Sequence, residues 1–142
     1  MTRFITFFVV LVASATAYAT AYTATSDGLW NSSATWNNAG VPVSGDTATI
    51  NTGVTVTVPD GYTAAVGPDD GTTVALKCSA NTGTGKLIVN GTLQFKGHVQ
   101  QCDSAWQVNS DGSTTHGRLE HAGSTSSYYW QIGMATNPTN AR

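Results

Sequence analysis

Charge is what this chain has least of: 10% of its 142 residues are Asp, Glu, Lys or Arg, and the net charge is −2 at pH 7. Without a basic stripe there is no field to gather phosphate backbones, which excludes nucleic acid as a partner. Cysteine is almost as scarce. The two present, Cys78 and Cys102, form no C-x-x-C pair, so no thioredoxin-type redox motif is encoded. Carboxylates free for acid and base work are few, because Asp27, Asp60, Asp70 and Asp111 each precede a glycine, where aspartate caps a turn through its own backbone. Asp46, entering the segment Thr47 to Ile50, reads as a turn organiser as well. His98, Asp103, His116, Glu120 and His121 form the one titratable cluster, but their spacing matches no zinc motif. In an extended HGRLEH segment His116 and Glu120 share one face, while Leu119 and His121 take the other. The expectation is a protein without catalytic residues, metal ligands or cofactor.

Long apolar runs are missing except at the amino terminus. Arg3 precedes an apolar stretch from Phe4 to Val12, and small residues end at Ala17-Tyr18-Ala19. Those are the three parts of a secretory signal with an A-x-A cleavage pattern. A membrane anchor is disfavoured, because the stretch is short and holds Thr6, Ser14 and Thr16, whereas spanning takes about 20 apolar residues. Residues 1–19 are therefore expected to be removed, leaving no transmembrane segment and a protein that is secreted or held at the cell surface. The remaining 123 residues of the 142 suit one domain with a modest core. In an exported chain, Cys78 and Cys102 are expected to form a disulfide, worth about 3 kcal/mol by loop closure.

What the chain does have is a β pattern. Val54, Val56 and Val58 alternate with Thr55 and Thr57, giving one face for a core and one for water. Val41-Pro42 and Gly45-Asp46 punctuate the approach to a strand at Thr47 to Ile50. Further strand-like pieces are Ala64 to Val66, Thr73 to Cys78 with Val74, Leu76 and Cys78 on one face, Leu87 to Val89 and Leu93 to Phe95. Asn90-Gly91 between the last two is a strong tight-turn signal. Trp106 with Val108, Arg118 to Glu120 and Tyr128 to Ile132 follow less regularly. Residues 20–27 suit a flexible mature terminus or a leading strand, and 28–142 a single β-rich module. Short strands broken every few residues by Gly, Asp or Asn predict an all-β fold: a right-handed β-helix or similar solenoid, with a β-sandwich as the alternative.

Gly28, Trp30, Trp36, Gly40, Pro42, Gly45-Asp46, Ile50, Gly53 and the later LIVNGTLQF at 87–95 resemble the G-eight domain, an extracellular module named for its eight glycines. The likeness runs over roughly residues 26–121. It implies a β-rich ligand-binding module of the kind that opens longer right-handed β-helices in surface proteins, including hyaluronan-binding and hyaluronan-degrading ones. It carries no catalytic motif. The glycines and tryptophans are framework residues of that family, so Trp30 and Trp36 are expected in the core.

Tyr128, Tyr129, Trp130 and Gln131 form the candidate ligand-binding set, because rings stack on sugar faces and amides meet hydroxyls. Asn31-Ser32-Ser33 and Asn90-Gly91-Thr92 match the N-glycosylation pattern at Asn31 and Asn90. The leading functional reading is a non-catalytic surface module that binds glycans or extracellular matrix. One rival is a homopolymer, in which open coils stack edge to edge into a filament or sheath. Another is the amino-terminal part of a polysaccharide-degrading enzyme.

Overall fold

The computed structural model describes residues 18–78, 85–100, 106–108, 117–124 and 130–131, the segments 106–108 and 130–131 by their backbone alone. Twelve short strands are found there: β1 (Ala21–Ala24), β2 (Gly28–Leu29), β3 (Thr47–Ile50), β4 (Thr55–Val58), β5 (Thr63–Val66), β6 (Val74–Cys78), β7 (Lys86–Val89), β8 (Thr92–Phe95), β9 (His98–Gln100), β10 (Trp106–Val108), β11 (Arg118–His121) and β12 (Trp130–Gln131). One 3-10 turn, Ser33–Thr35, interrupts them. The fold is all-β. Within residues 20–27, Ala21–Ala24 form β1.

Every pairing between these strands is parallel, and they fall into three sheets. The first has the order β1-β3-β6-β9-β12, the second β10-β7-β4-β2 and the third β11-β8-β5. From β3 onward the chain visits the sheets in turn, and each strand pairs with one from the preceding pass rather than with its neighbour in sequence. That order explains Asn90-Gly91. The dipeptide joins β7 to β8, which lie in different sheets, so it turns a corner instead of closing a hairpin. Gly91 is needed there because a Cβ would sit 2.2 Å from the Pro59 carbonyl oxygen and 2.3 Å from that of Tyr62.

Parallel, in-register pairing stacks like on like. In the first sheet Ala48, Leu76 and Val99 align, in the second Val56 aligns with Leu87 and Val58 with Val89, and in the third Ala64 aligns with Leu93 and Val66 with Phe95. All of these are buried, and they line one apolar interior shared by the three sheets. Thr55, Thr57, Thr63 and Thr92 take the alternate positions and are partly or fully exposed. The period-2 pattern therefore sets which face meets water.

Two local expectations are corrected. Val74, Leu76 and Cys78 do not form one uniform face, because the register shifts between Val74 and Leu76: Val74 pairs with His98 and Leu76 with Val99. The extra residue, Ala75, is fully buried and Val74 only half so. His98, which as an ordinary histidine outside any metal motif reads as a surface or capping residue, is buried. Leu119 and His121 do share a side of β11, in register with buried Leu93 and Phe95, and the His121 ring meets Phe95 edge-on with centroids 5.6 Å apart.

Candidate functional site

Trp30 and Trp36 lie on the first pass of the chain, between β2 and β3. Trp30 is fully buried, Trp36 nearly so, and their rings meet edge to face at 5.0 Å. Tyr22 packs against Trp36 in the same manner at 6.2 Å. Each indole finds an acceptor: Trp36 Nε1 donates to the Trp30 carbonyl at 2.9 Å and Trp30 Nε1 to that of Pro42 at 3.4 Å. Buried rings with satisfied N–H groups are framework.

The same segment covers the outer edge of β1. Ala24 bridges Trp36 in antiparallel fashion. Thr23 donates its backbone N–H to Asn37 Oδ1 at 2.8 Å, and its carbonyl accepts the Asn37 N–H at 2.9 Å. Asn38 Nδ2 donates to the Ala21 carbonyl at 2.9 Å, and the Thr25 N–H to the Thr35 carbonyl at 3.0 Å. An edge strand left bare is a template for another chain. Here its groups are taken by side-chain amides and by the backbone around the 3-10 turn. Neither Asn37 nor Asn38 stands out in sequence, since an asparagine pair before Ala-Gly reads as a loop.

On the opposite register positions of the first sheet lies a polar column. Thr23, Thr49, Lys77, Gln100 and Gln131 align one above another, at a strand spacing of about 4.8 Å. Thr23, Thr49 and Gln100 are half-buried and Lys77 is exposed. Of the expected ligand set, Gln131 thus holds the next position in this column, whereas Trp130 holds the register position of buried Val99. Tyr128 and Tyr129 lie outside the described residues. The column escaped the sequence reading because β9, three residues between Gly97 and the segment at 101–105, is too short to declare itself.

The remaining candidates are dispersed. Asn31 is exposed, while Asn90 is half-buried at its corner and donates its N–H to the Val58 carbonyl at 3.0 Å. Cys78 is buried, and Cys102, its expected disulfide partner, lies outside the described residues, as do Asp103, Asp111 and His116. Glu120 is engaged by Gln94 Nε2 at 2.8 Å and by the Arg118 guanidinium at 2.6 Å. Among the described residues no three His, Cys, Asp or Glu side chains converge as a metal site, and no helix is long and apolar enough to cross a membrane.

The aspartates serve the backbone, though not always locally. Asp46 organises its turn by accepting the Val43 N–H at 3.0 Å, and also accepts the Thr20 N–H at 3.0 Å. Asp27 corrects the expectation of a self-contained turn: its carboxylate accepts the N–H of Thr55 on the next pass at 2.6 Å. Asp69 likewise reaches the Ser124 N–H, at 2.9 Å through Oδ2. Asp70 is a local cap. The Thr73 hydroxyl, the Thr73 N–H and the Thr72 N–H all donate to it, holding its carboxyl at about 2 against an ordinary 3.8. A carboxyl whose pKa falls on folding stabilises above its unfolded value and loses that contribution as pH drops through the folded one. Thermal melts of the parent and of Asp70→Asn are therefore expected to differ above about pH 4 and to converge as pH approaches about 2. Curves separated by a constant gap down to pH 2 contradict the assignment.

Comparison with protein-family models, with curated proteins and with solved structures gives no match for this chain.

Proposed function

We propose that the protein is a non-catalytic, extracellular module of G-eight type that begins a right-handed β-helix and binds glycans or matrix polysaccharide along its first sheet. Right-handed winding is the choice that parallel strands joined by crossovers almost invariably make. The kinship with G-eight domains is supported by where the likeness residues fall: Gly28, Trp30, Trp36, Pro42 and Asp46 all build one capped end. The binding reading is carried by the polar column Thr23, Thr49, Lys77 and Gln100, with Gln131 in register. Hydroxyl, ammonium and amide groups repeated at strand spacing offer an extended chain of sugars a row of donors and acceptors on a rigid face. The covered edge of β1 weighs against the filament rival, because in the first sheet the backbone edge that head-to-tail pairing would use is already occupied.

A glycan array tests this. The parent protein is expected to bind a restricted set of polysaccharides, and the double variant Lys77→Ala/Gln100→Ala to bind them about tenfold more weakly, the equivalent of one or two hydrogen bonds. Trp130→Ala, run in parallel, separates the column from the aromatic segment. Absence of specific binding by the parent, together with filaments in electron micrographs, transfers the weight to self-assembly.

A further inference from the structure

The backbone nitrogen of Thr20 is the first residue after the Ala17-Tyr18-Ala19 cleavage pattern and lies 3.0 Å from Asp46 Oδ1. Asp46 is 92% buried, and among the described residues its carboxylate has two backbone N–H groups as partners, from Thr20 and Val43, and no cation. Its charge is met by amide dipoles and, among the described residues, by no opposite charge. Thr20 is held through both of its backbone polar groups, since its carbonyl accepts the Thr47 N–H at 2.9 Å, next to the first pair of the β1–β3 register. Tyr18, Ala19 and Thr20 are exposed ahead of the strand, so removing what precedes Thr20 uncovers no core.

We infer that hydrolysis of the Ala19–Thr20 bond creates a partly buried ion pair, between an exposed amino terminus and buried Asp46, that fastens the chain ahead of the first strand. Water adds its hydroxyl to the Ala19 carbonyl carbon, the Thr20 nitrogen leaves as an amine, and at neutral pH that amine takes up a proton. The nitrogen that donated as a neutral amide then stands in the same place as an ammonium facing Asp46. Charge-assisted hydrogen bonds are shorter and about twice as strong as neutral ones. The site is thus a processing-dependent latch: the cut both releases the leader and supplies the counter-charge that Asp46 lacks. That the cut is made in the cell, by a leader peptidase of the export machinery, rests on the extracellular reading; that a free Thr20 amine faces Asp46 rests on the geometry alone.

Two measurements separate these. Amino-terminal sequencing and intact mass of the protein from a secreting host are expected to give a chain starting at Thr20; any other start overturns the processing site, and a chain still carrying Met1 overturns the export reading with it. Independently, three forms are released from a cleavable carrier that leaves no residues behind: one starting at Thr20, one starting at Ala19, and one starting at Thr20 with an N-acetyl group. The free Thr20 form is expected to melt about 3 °C or more above the other two, which keep an amide donor at the Thr20 nitrogen but carry no charge on it, the Ala19 form having moved its ammonium one residue out and the acetylated form having none. In Asp46→Asn the three forms are expected to coincide. Equal midpoints for all three forms with Asp46 intact overturn the latch, and because acetylation leaves every side chain in place, that arm stands even where Asp46→Asn fails to fold.

Discussion

Trp30→Ala is expected to lower the unfolding free energy by about 3–5 kcal/mol, the range for truncating a large buried aromatic. Trp30 is fully buried and meets Trp36 at 5.0 Å, and the Trp30 carbonyl accepts the Trp36 indole N–H at 2.9 Å. Truncation leaves that carbonyl in place but opens a cavity beside Trp36, whose ring also orients Tyr22. Loss is therefore expected to spread to the cover over β1, since Ala24 bridges Trp36 directly. Urea titration followed by circular dichroism checks the magnitude. Trp30→Phe, which retains much of the apolar volume, is expected to recover part of it. A midpoint unchanged within error in Trp30→Ala means that the end of the module is held by the hydrogen bonds of Asn37 and Asn38 to β1 and not by the aromatic cluster.

Gly67→Ala is expected to cost at least about 3 kcal/mol and to abolish accumulation of folded protein wherever the parent is marginal. Gly67 has φ +95°, a region that side chains rarely enter, and a Cβ there would lie 1.8 Å from the Lys96 carbonyl oxygen and 2.4 Å from the Ala75 Cβ. Neither contact is a flexible side-chain tip that can swing away. The Gly67 N–H also donates to the Asp46 carbonyl at 2.6 Å, and its own carbonyl accepts the Gly45 N–H at 3.0 Å, so moving the backbone to relieve the clash breaks the turn that places Asp46. The decisive comparison is the urea midpoint of Gly67→Ala against the parent. A loss under about 1 kcal/mol shows that Lys96 yields and that the close approach is not required.

Much of the fold was legible because strands facing a core on one side must alternate. Val56 and Val58 with Thr55 and Thr57 announced β4 and its orientation, and β3, β5, β7 and β8 fell where short apolar alternations predicted them. The repeat itself was not legible, for a geometric reason. Aligned residues sit at uneven distances along the chain: Leu76 follows Ala48 by 28 positions and Val99 follows Leu76 by 23, while Leu87 follows Val56 by 31. Corners of different length absorb the variation, so no fixed period survives in the sequence even though the strands stack in register. Strand phase was lost at Ala75, where one extra residue shifts the pairing, a change that composition does not record. For the site, sequence favoured aromatic rings at 128–131, because a side chain suited to sugars is visible in one dimension. A column formed by Thr23, Thr49, Lys77 and Gln100 is visible only once four separate strands are aligned. The long-range role of Asp27 was hidden in the same way: its acidic-glycine dipeptide has a sufficient local explanation, and the Thr55 N–H it serves arrives 28 residues later.

The covered edge of β1 also sets an order of events. Ribosomes deliver the amino terminus first, and the contacts that shut this end, from Thr23 to Asn37 and from Ala21 to Asn38, span fewer than 20 residues. A nascent chain only as long as the first pass can therefore finish its blunt end before the next strand exists. In the first sheet each later strand then arrives at a single unpaired margin, which is the margin it is built to occupy.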